Sequence, residues 1–463
     1  MKKHLMIICI LLAGLLAGPV AVLAQAQQKP PAGGTPKPFT LPQKQTFTLK
    51  NGLMVTLVPY GTIPKVTVSA FVRAGSLNEG AEQTWLANIT GTMLKEGTAS
   101  RTAEQLAEDA ARMGGSINVN VGADLTTIGG DVLSEFGPDL AGLVADVLQH
   151  PLLPASELSR MKNDRLRQLT VSKTQSGQIA SERFRRLLYP NHPYGRLFPT
   201  EEMINRYTIE DVQKFYKDNF GAARTHLYVA GRFDAAAMKK AITQAFEGWT
   251  RGGAPLEDIP KPVATRTINL IDRPGAAQST IYLGLPVVAP GHRDFIALQV
   301  TNTLLGGSFA SRITSNIREA KGYTYSPSSQ LSARYRDAYW VEVADVTTAV
   351  TGPSLKEIFY EIDRLQKEPP TEEELQGIKN YLAGIFVLQN SSRQGVINQL
   401  AFVDLHGLDD KYLTTYVQNV FAITPKDIQR IAQSYLLGDK MTLVVVGDKS
   451  KVADQVGAFG QVN

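Results

Sequence analysis

The sequence has a single cysteine, Cys9, and only six histidines in 463 residues. One Cys cannot close an intramolecular disulfide, and without further thiolates a Cys-ligated zinc module is excluded. The histidines stand at 4, 150, 192, 226, 292 and 406, so no two share a helix turn. Charge of one sign is equally scarce, with 48 Lys+Arg against 43 Asp+Glu and a formal net charge of +5. No basic block offers the electrostatic footprint that phosphate backbones require, so nucleic acid is not an expected partner. Beyond residue 26 no apolar run reaches the ~20 residues of a membrane-spanning helix. With 43% hydrophobic and 20% charged residues, the chain is not intrinsically disordered. At ~100–200 residues per domain, its length accommodates two to four domains.

The first segment reads as a targeting sequence. Lys2, Lys3 and His4 precede an apolar run from Leu5 to Leu23, closed by Ala24-Gln25-Ala26. This is the basic, apolar and small-residue order of a secretory signal, expected to be cleaved after Ala24 or Ala26. Gly14, Gly18 and Pro19 interrupt the run, which favours cleavage over a retained anchor. The signal (1–26) takes Cys9 with it, and losing Lys2 and Lys3 lowers the net charge to +3. An exported protein, periplasmic in a bacterium, without membrane attachment after cleavage, is the expectation. Residues 27–44 are polar and rich in Pro and Gly, a flexible lead-in.

Regular structure is expected from Gln45. Thr46–Leu49 and Leu53–Val58 flank the turn signal Asn51-Gly52, and Lys65–Arg73 alternates with β-branched residues. An internal repeat then organises the rest of the chain. Thr208-Ile209-Glu210-Asp211-Val212-Gln213 recurs as Thr424-Pro425-Lys426-Asp427-Ile428-Gln429, an offset of 216. The same offset brings Val229-Ala230-Gly231 onto Val445-Val446-Gly447. Glu157-Leu158 and Lys162-Asn163 recur as Glu374-Leu375 and Lys379-Asn380 at 217. Each copy reads as a capped helix, a turn and an apolar strand ending in Gly. Two homologous halves follow, 45–250 and 266–463, joined by a Gly/Pro-rich linker over 251–265. The expected class is α+β, each half an antiparallel sheet packed with helices.

Two duplicated halves of this kind resemble the pitrilysin family of inverted-zinc-motif metallopeptidases, which includes insulysin and the mitochondrial processing peptidase. The resemblance spans essentially the whole mature chain. It is carried by Leu86-Ala87 and Met93-Leu94 with Gly97-Thr98, by His192-Pro193-Tyr194-Gly195, and by Arg318-Glu319-Ala320-Lys321-Gly322-Tyr323-Thr324-Tyr325. It implies a clamshell of two such halves. In the family, two His on one helix face bind zinc and a Glu between them activates the zinc-bound water. Here Asn88 and Thr92 stand at the His positions and Gly91 at that of the Glu. A further Glu ligand is expected about 75 residues on by the resemblance, where Arg165-Leu166-Arg167-Gln168-Leu169 offers no carboxylate. The resemblance therefore implies a degenerate motif, with no metal bound by this chain and no zinc hydrolysis by it alone.

Family members also carry an Arg and a Tyr seven residues apart in the second half, which hydrogen-bond substrate and the tetrahedral intermediate. Arg318 and Tyr325 have that spacing. A guanidinium offers a fixed charged fork and a phenol one neutral donor, which suits oxyanion stabilisation. By themselves the two residues read equally as a helix C-terminal charge and a strand opener. Gly306-Gly307-Ser308 resembles the family's Gly-rich turn. Lone His192 reads as structural, and Tyr335, Tyr339 and Trp340 as ordinary strand packing rather than base-stacking platforms.

Some bacterial relatives occur as paired subunits, one with the zinc motif and one with the Arg/Tyr pair, and this chain resembles the second kind. The implied partner is a zinc-bearing homologue in a heterodimer, with peptides as substrates. Two alternatives stay open: a peptide-binding or chaperone-like pseudopeptidase acting without hydrolysis, and a purely structural subunit.

Overall fold

The computed structural model describes residues 39–463. The signal segment and most of the lead-in lie outside the described residues, and 39–44 precede the first strand without regular structure. The first half runs β1 (Gln45–Thr48), β2 (Met54–Pro59), β3 (Lys65–Val72), α1 (Leu86–Met93), α2 (Ala103–Arg112), β4 (Asn118–Val121), β5 (Thr126–Leu133), α3 (Gly137–Gln149), α4 (Ala155–Thr174), α5 (Ser176–Leu188), α6 (Glu201–Arg206), α7 (Ile209–Asn219), β6 (Thr225–Gly231) and α8 (Ala235–Phe246). The second runs β7 (Thr267–Asp272), β8 (Gln278–Val287), α9 (Phe295–Asn302), β9 (Ser328–Arg334), β10 (Asp337–Thr347), α10 (Thr351–Lys367), α11 (Glu372–Gln389), α12 (Arg393–His406), α13 (Lys411–Thr414), α14 (Tyr416–Ala422), α15 (Pro425–Tyr435), β11 (Thr442–Gly447) and α16 (Lys449–Gly457). Residues 251–266 between them form no regular element.

The sheets have the orders β1-β2-β6-β3-β5-β4 and β7-β11-β8-β10-β9. Neither is purely antiparallel, which corrects the sequence-based expectation. β6 lies parallel to β2 and β11 parallel to β7, while both are antiparallel to their other neighbour. In each half the closing strand returns after a helix rather than a tight turn, so its direction is free to match that of an early strand. The protein is α+β with two mixed sheets, each packed with helices.

The repeated sequence does the same physical work twice. Thr208 and Thr424 each accept the N–H three residues on, and Asp211 and Asp427 each return the bond in a capping box. Lys162 donates to the carbonyl of Asn205 at 2.6 Å, and Lys379 to that of Phe421 at 3.1 Å. Each lysine thus ties the first long helix of its repeat to the backbone just ahead of the capped helix.

The two halves are held together by a reciprocal exchange of helices. Ala180, Phe184 and Leu188 form one apolar stripe of α5, which packs on β8 and β11 of the second sheet. Gly284 leaves the space that Phe184 fills, since a Cβ there would come within 2.9 Å of Phe184 Cζ. Conversely, α12 of the second half packs on β3 and β6 of the first sheet. Arg393 at its start donates to Asp131 at 3.0 and 3.2 Å, and Asp404 near its end takes His226 Nδ1 at 3.0 Å and the Tyr228 hydroxyl. The described residues, 39–463, accordingly lie in one unit. Tyr335, Tyr339 and Trp340 are buried, with Tyr339 against Phe184 and Tyr189 of the first half.

Candidate functional site

Helix α1 opens at Trp85, whose φ of 73° is left-handed and which provides no side-chain cap. The free N–H of Ala87 is taken instead by Glu79 Oε1 at 2.9 Å. Glu79 is buried, and desolvation pushes its carboxyl up to about 8, against the opposing pull of the Ala87 and Trp85 N–H groups and Arg196. Leu86, Ala87, Ile89, Thr90 and Met93 bury one side of the helix. Asn88 and Thr92, four residues apart, share the half-buried side.

Into that side reaches Arg165 of α4. Its Nη2 donates to Thr92 Oγ1 at 2.9 Å and to the Asn88 carbonyl at 3.3 Å, and its Nη1 donates to Gln168 at 2.7 Å. Thr92 Oγ1 itself donates to the Asn88 carbonyl at 2.8 Å. Burial lowers the Arg165 guanidinium from its usual value, with Asp164 countering. Gly91 faces the edge strand β4, where an added Cβ would run into Val121 Cγ2. The residues present do not fit zinc: a cation, a hydroxyl and an amide replace the imidazoles and carboxylates such a site uses. Among the described residues, no three His, Cys, Asp or Glu side chains are grouped as a metal site would need.

The second half is built differently at the corresponding place. α9 does not end cleanly but continues as a π-helical turn over Thr303–Gly307. A Cβ at Gly306 would come within 2.6 Å of Ser329 Oγ and 2.7 Å of Glu342 Oε2, so only Gly lets the turn seat against β9 and β10. Glu342 is fully buried there with no side-chain partner for its oxygens, and burial raises its carboxyl well above the usual range against the pull of the Ser328 N–H.

A second π-helical stretch, Thr314–Ala320, carries Arg318, and Gly322 at φ 64° turns the chain toward Tyr325. The structure brings Arg318 and Tyr325 together, the guanidinium carbon 5.1 Å from the ring centroid. Phe309 lies closer still, at 4.3 Å. Both rings are solvent-facing, Tyr325 80% and Phe309 69% exposed. Arg318 Nη1 is 3.1 Å from Glu319 Oε1, yet this buried nitrogen makes no hydrogen bond. The ion pair is Coulombic and leaves a guanidinium donor unspent.

Among the described residues no hydrogen bond, ion pair or ring contact joins Arg318 or Tyr325 to Asn88, Gly91 or Thr92. Sequence reasoning passed over Arg165 and Phe309. The signal for Arg165 is a cation where the resemblance leads one to expect an acidic ligand. Phe309 is the one aromatic in an otherwise small and polar stretch, Gly306–Ser311. His192 caps the turn that follows it, its Nδ1 accepting the Tyr194 N–H at 3.2 Å, while its Nε2 lies 3.5 Å from Asp258 Oδ2.

Residues 55–198 match the model of the insulinase family, peptidase family M16, and residues 206–382 the model described as the peptidase M16 inactive domain. The Bacillus subtilis (strain 168) protein named "uncharacterized zinc protease YmxG" is 24% identical over 395 residues, 85% of this chain and 96% of that one. The crystal structure of a peptidase M16 inactive domain from Pseudomonas fluorescens superposes with a TM-score of 0.80 at 23% identity, covering 87% of this chain and 98% of that one. The periplasmic protease PqqL from Escherichia coli superposes with a TM-score of 0.76 at 17% identity, covering 93% of this chain but 48% of that one. With two models of one family covering most of its length and the fold of that family's solved members, the chain belongs to the M16 (insulinase/pitrilysin) peptidases.

Proposed function

We propose that this chain is the non-catalytic subunit of a heteromeric zinc metallopeptidase, exported by its N-terminal signal and paired with a zinc-bearing homologue. The partner supplies metal, water and general base. This chain closes the chamber and binds peptide through Arg318 and Tyr325. The observation that carries the reading is the unspent Nη1 donor of Arg318 beside an exposed phenol. Nη1 is held only by its ion pair with the half-exposed Glu319, and a carbonyl or developing oxyanion would give it the hydrogen bond it lacks. The side chains on α1 support the other part of the reading, since the Thr92 hydroxyl and the Arg165 guanidinium are spent on each other and on the Asn88 backbone carbonyl.

Relatives named zinc proteases support a peptidase setting. The chain matches about half the length of PqqL, which is consistent with two chains of this size completing one assembly. Because α5 and α12 lock the two halves of this chain together, we place the opening of the clamshell between this chain and its partner.

Co-purification from the native host followed by a fluorogenic peptide assay on each subunit alone and mixed tests the proposal. Hydrolysis only in the mixture, with stoichiometric zinc in the partner alone, is the expected result. Activity with stoichiometric zinc in this chain alone overturns it. Peptide binding without any zinc-bearing partner favours a chaperone-like pseudopeptidase instead.

A further inference from the structure

Phe309 is a large apolar side chain left in water. It belongs to none of the apolar clusters, and its only ring or cation contact among the described residues is the Arg318 guanidinium. Its position is not that of a loose loop tip. The π-helical turn preceding it is seated so tightly that Gly306 has no room for a Cβ against Ser329 and Glu342. Gly307 has none against Asn302, whose Nδ2 would lie 2.5 Å from it. Tyr325 is delivered to the same guanidinium from the other direction in sequence, past the left-handed Gly322.

An aromatic ring at these distances attracts the guanidinium charge without consuming an N–H donor. An arginine held in this way surrenders rotamer freedom before any ligand arrives, so less is lost when its N–H groups engage one. Building on the reading that Arg318 and Tyr325 bind peptide, we infer that Phe309 is a positioning residue. It fixes the Arg318 fork so that its free N–H groups meet a peptide carbonyl or carboxylate oxygen, and it does so through Arg318 rather than by touching the peptide.

The test is direct binding of fluorescein-labelled tryptic peptides of casein to the full chain, read by fluorescence anisotropy. Phe309→Leu keeps the apolar volume but removes the ring face, and it should weaken binding about two- to fivefold. Phe309→Trp should restore binding to within about twofold of wild type, which loss of bulk alone does not explain. Arg318→Ala should weaken binding further, and adding Phe309→Leu to it should then change nothing more. Wild-type Phe309→Leu affinity in an otherwise sensitive Arg318→Ala series overturns the positioning role while leaving the peptide-binding reading intact. Equal loss from Phe309→Leu with and without Arg318 also overturns it, because Phe309 would then touch the peptide itself. No peptide binding by the unmodified chain, or wild-type affinity in Arg318→Ala, instead overturns the reading on which the inference rests. Because Phe309 is exposed, all variants should fold, and unchanged thermal unfolding checks this.

Discussion

The two halves share an order of elements and even a capping box, yet their polar groups are spent in opposite ways. On α1 of the first half, Arg165, Thr92 and the Asn88 carbonyl satisfy one another, and Val121 closes against Gly91. At the corresponding stretch of the second half, the helix loosens into π turns, two rings stand in solvent, and an arginine nitrogen is left without a hydrogen bond. A set of polar groups that complete each other has little left to offer a ligand. A set held open by packing keeps donors that a ligand can use, which is why the proposed peptide contact is placed there.

The sharpest way to break this contrast is to remove one arginine from each half. In the reconstituted pair, Arg318→Ala should lower kcat/KM by about 10²–10³, the effect of losing one oxyanion donor elsewhere. Arg165→Met should leave kcat/KM within about threefold and act on stability instead. It should cost about 0.5–1.5 kcal/mol by removing the Arg165 bonds to Thr92 Oγ1 and the Asn88 backbone carbonyl, which keep their bond to each other, measured by urea unfolding. Equal kinetic damage from both would erase the distinction.

Next in size is the packing of the two tight glycines. Gly91→Ala must displace Val121, and Gly306→Ala must displace Ser329 and Glu342. Each should destabilise by about 1–3 kcal/mol in thermal unfolding. Only Gly306→Ala should also weaken peptide binding, because only that turn sets Phe309.

A third comparison uses pH. The folded state keeps a proton on Glu79 up to about 8, whereas the unfolded chain releases it near 4.5. The stability present below pH 4.5 is therefore lost as pH rises toward 8, at a slope of up to about 1.4 kcal/mol per unit from this group. Glu342, raised in the same direction, adds to the slope. Glu79→Gln keeps an acceptor for the Ala87 N–H and should make the fall shallower, as read from urea midpoints across that range. The smallest expected change is the absence of one: added zinc should leave the thermal midpoint of this chain where it was, since no ligand set on α1 favours the folded state.

Much of this was legible in the sequence because it is local. The Thr208 and Thr424 capping boxes need only a hydroxyl and a carboxylate three residues apart, and the alternation of Lys65–Val72 needs only a two-residue period. The hairpin at Asn51-Gly52 is of the same kind, with Gly52 at φ 95°. The seven-residue spacing of Arg318 and Tyr325 was visible for the same reason, and the structure places the two side chains together. The parallel pairing of β6 with β2 and β11 with β7 was not, because strand direction depends on where a crossover deposits the chain.

The sequence by itself determined the repeated capping boxes, the strands, and that Asn, Gly and Thr stand at 88, 91 and 92. All of these are facts of residue type and short spacing. Only the tertiary structure decided that Arg165, 73 residues beyond Thr92, closes the face of α1. It also decided that α5 and α12 lock the halves together and that Phe309 stands over Arg318. Those contacts depend on packing between distant segments, and residue order alone carries no record of which cation or ring will meet which partner.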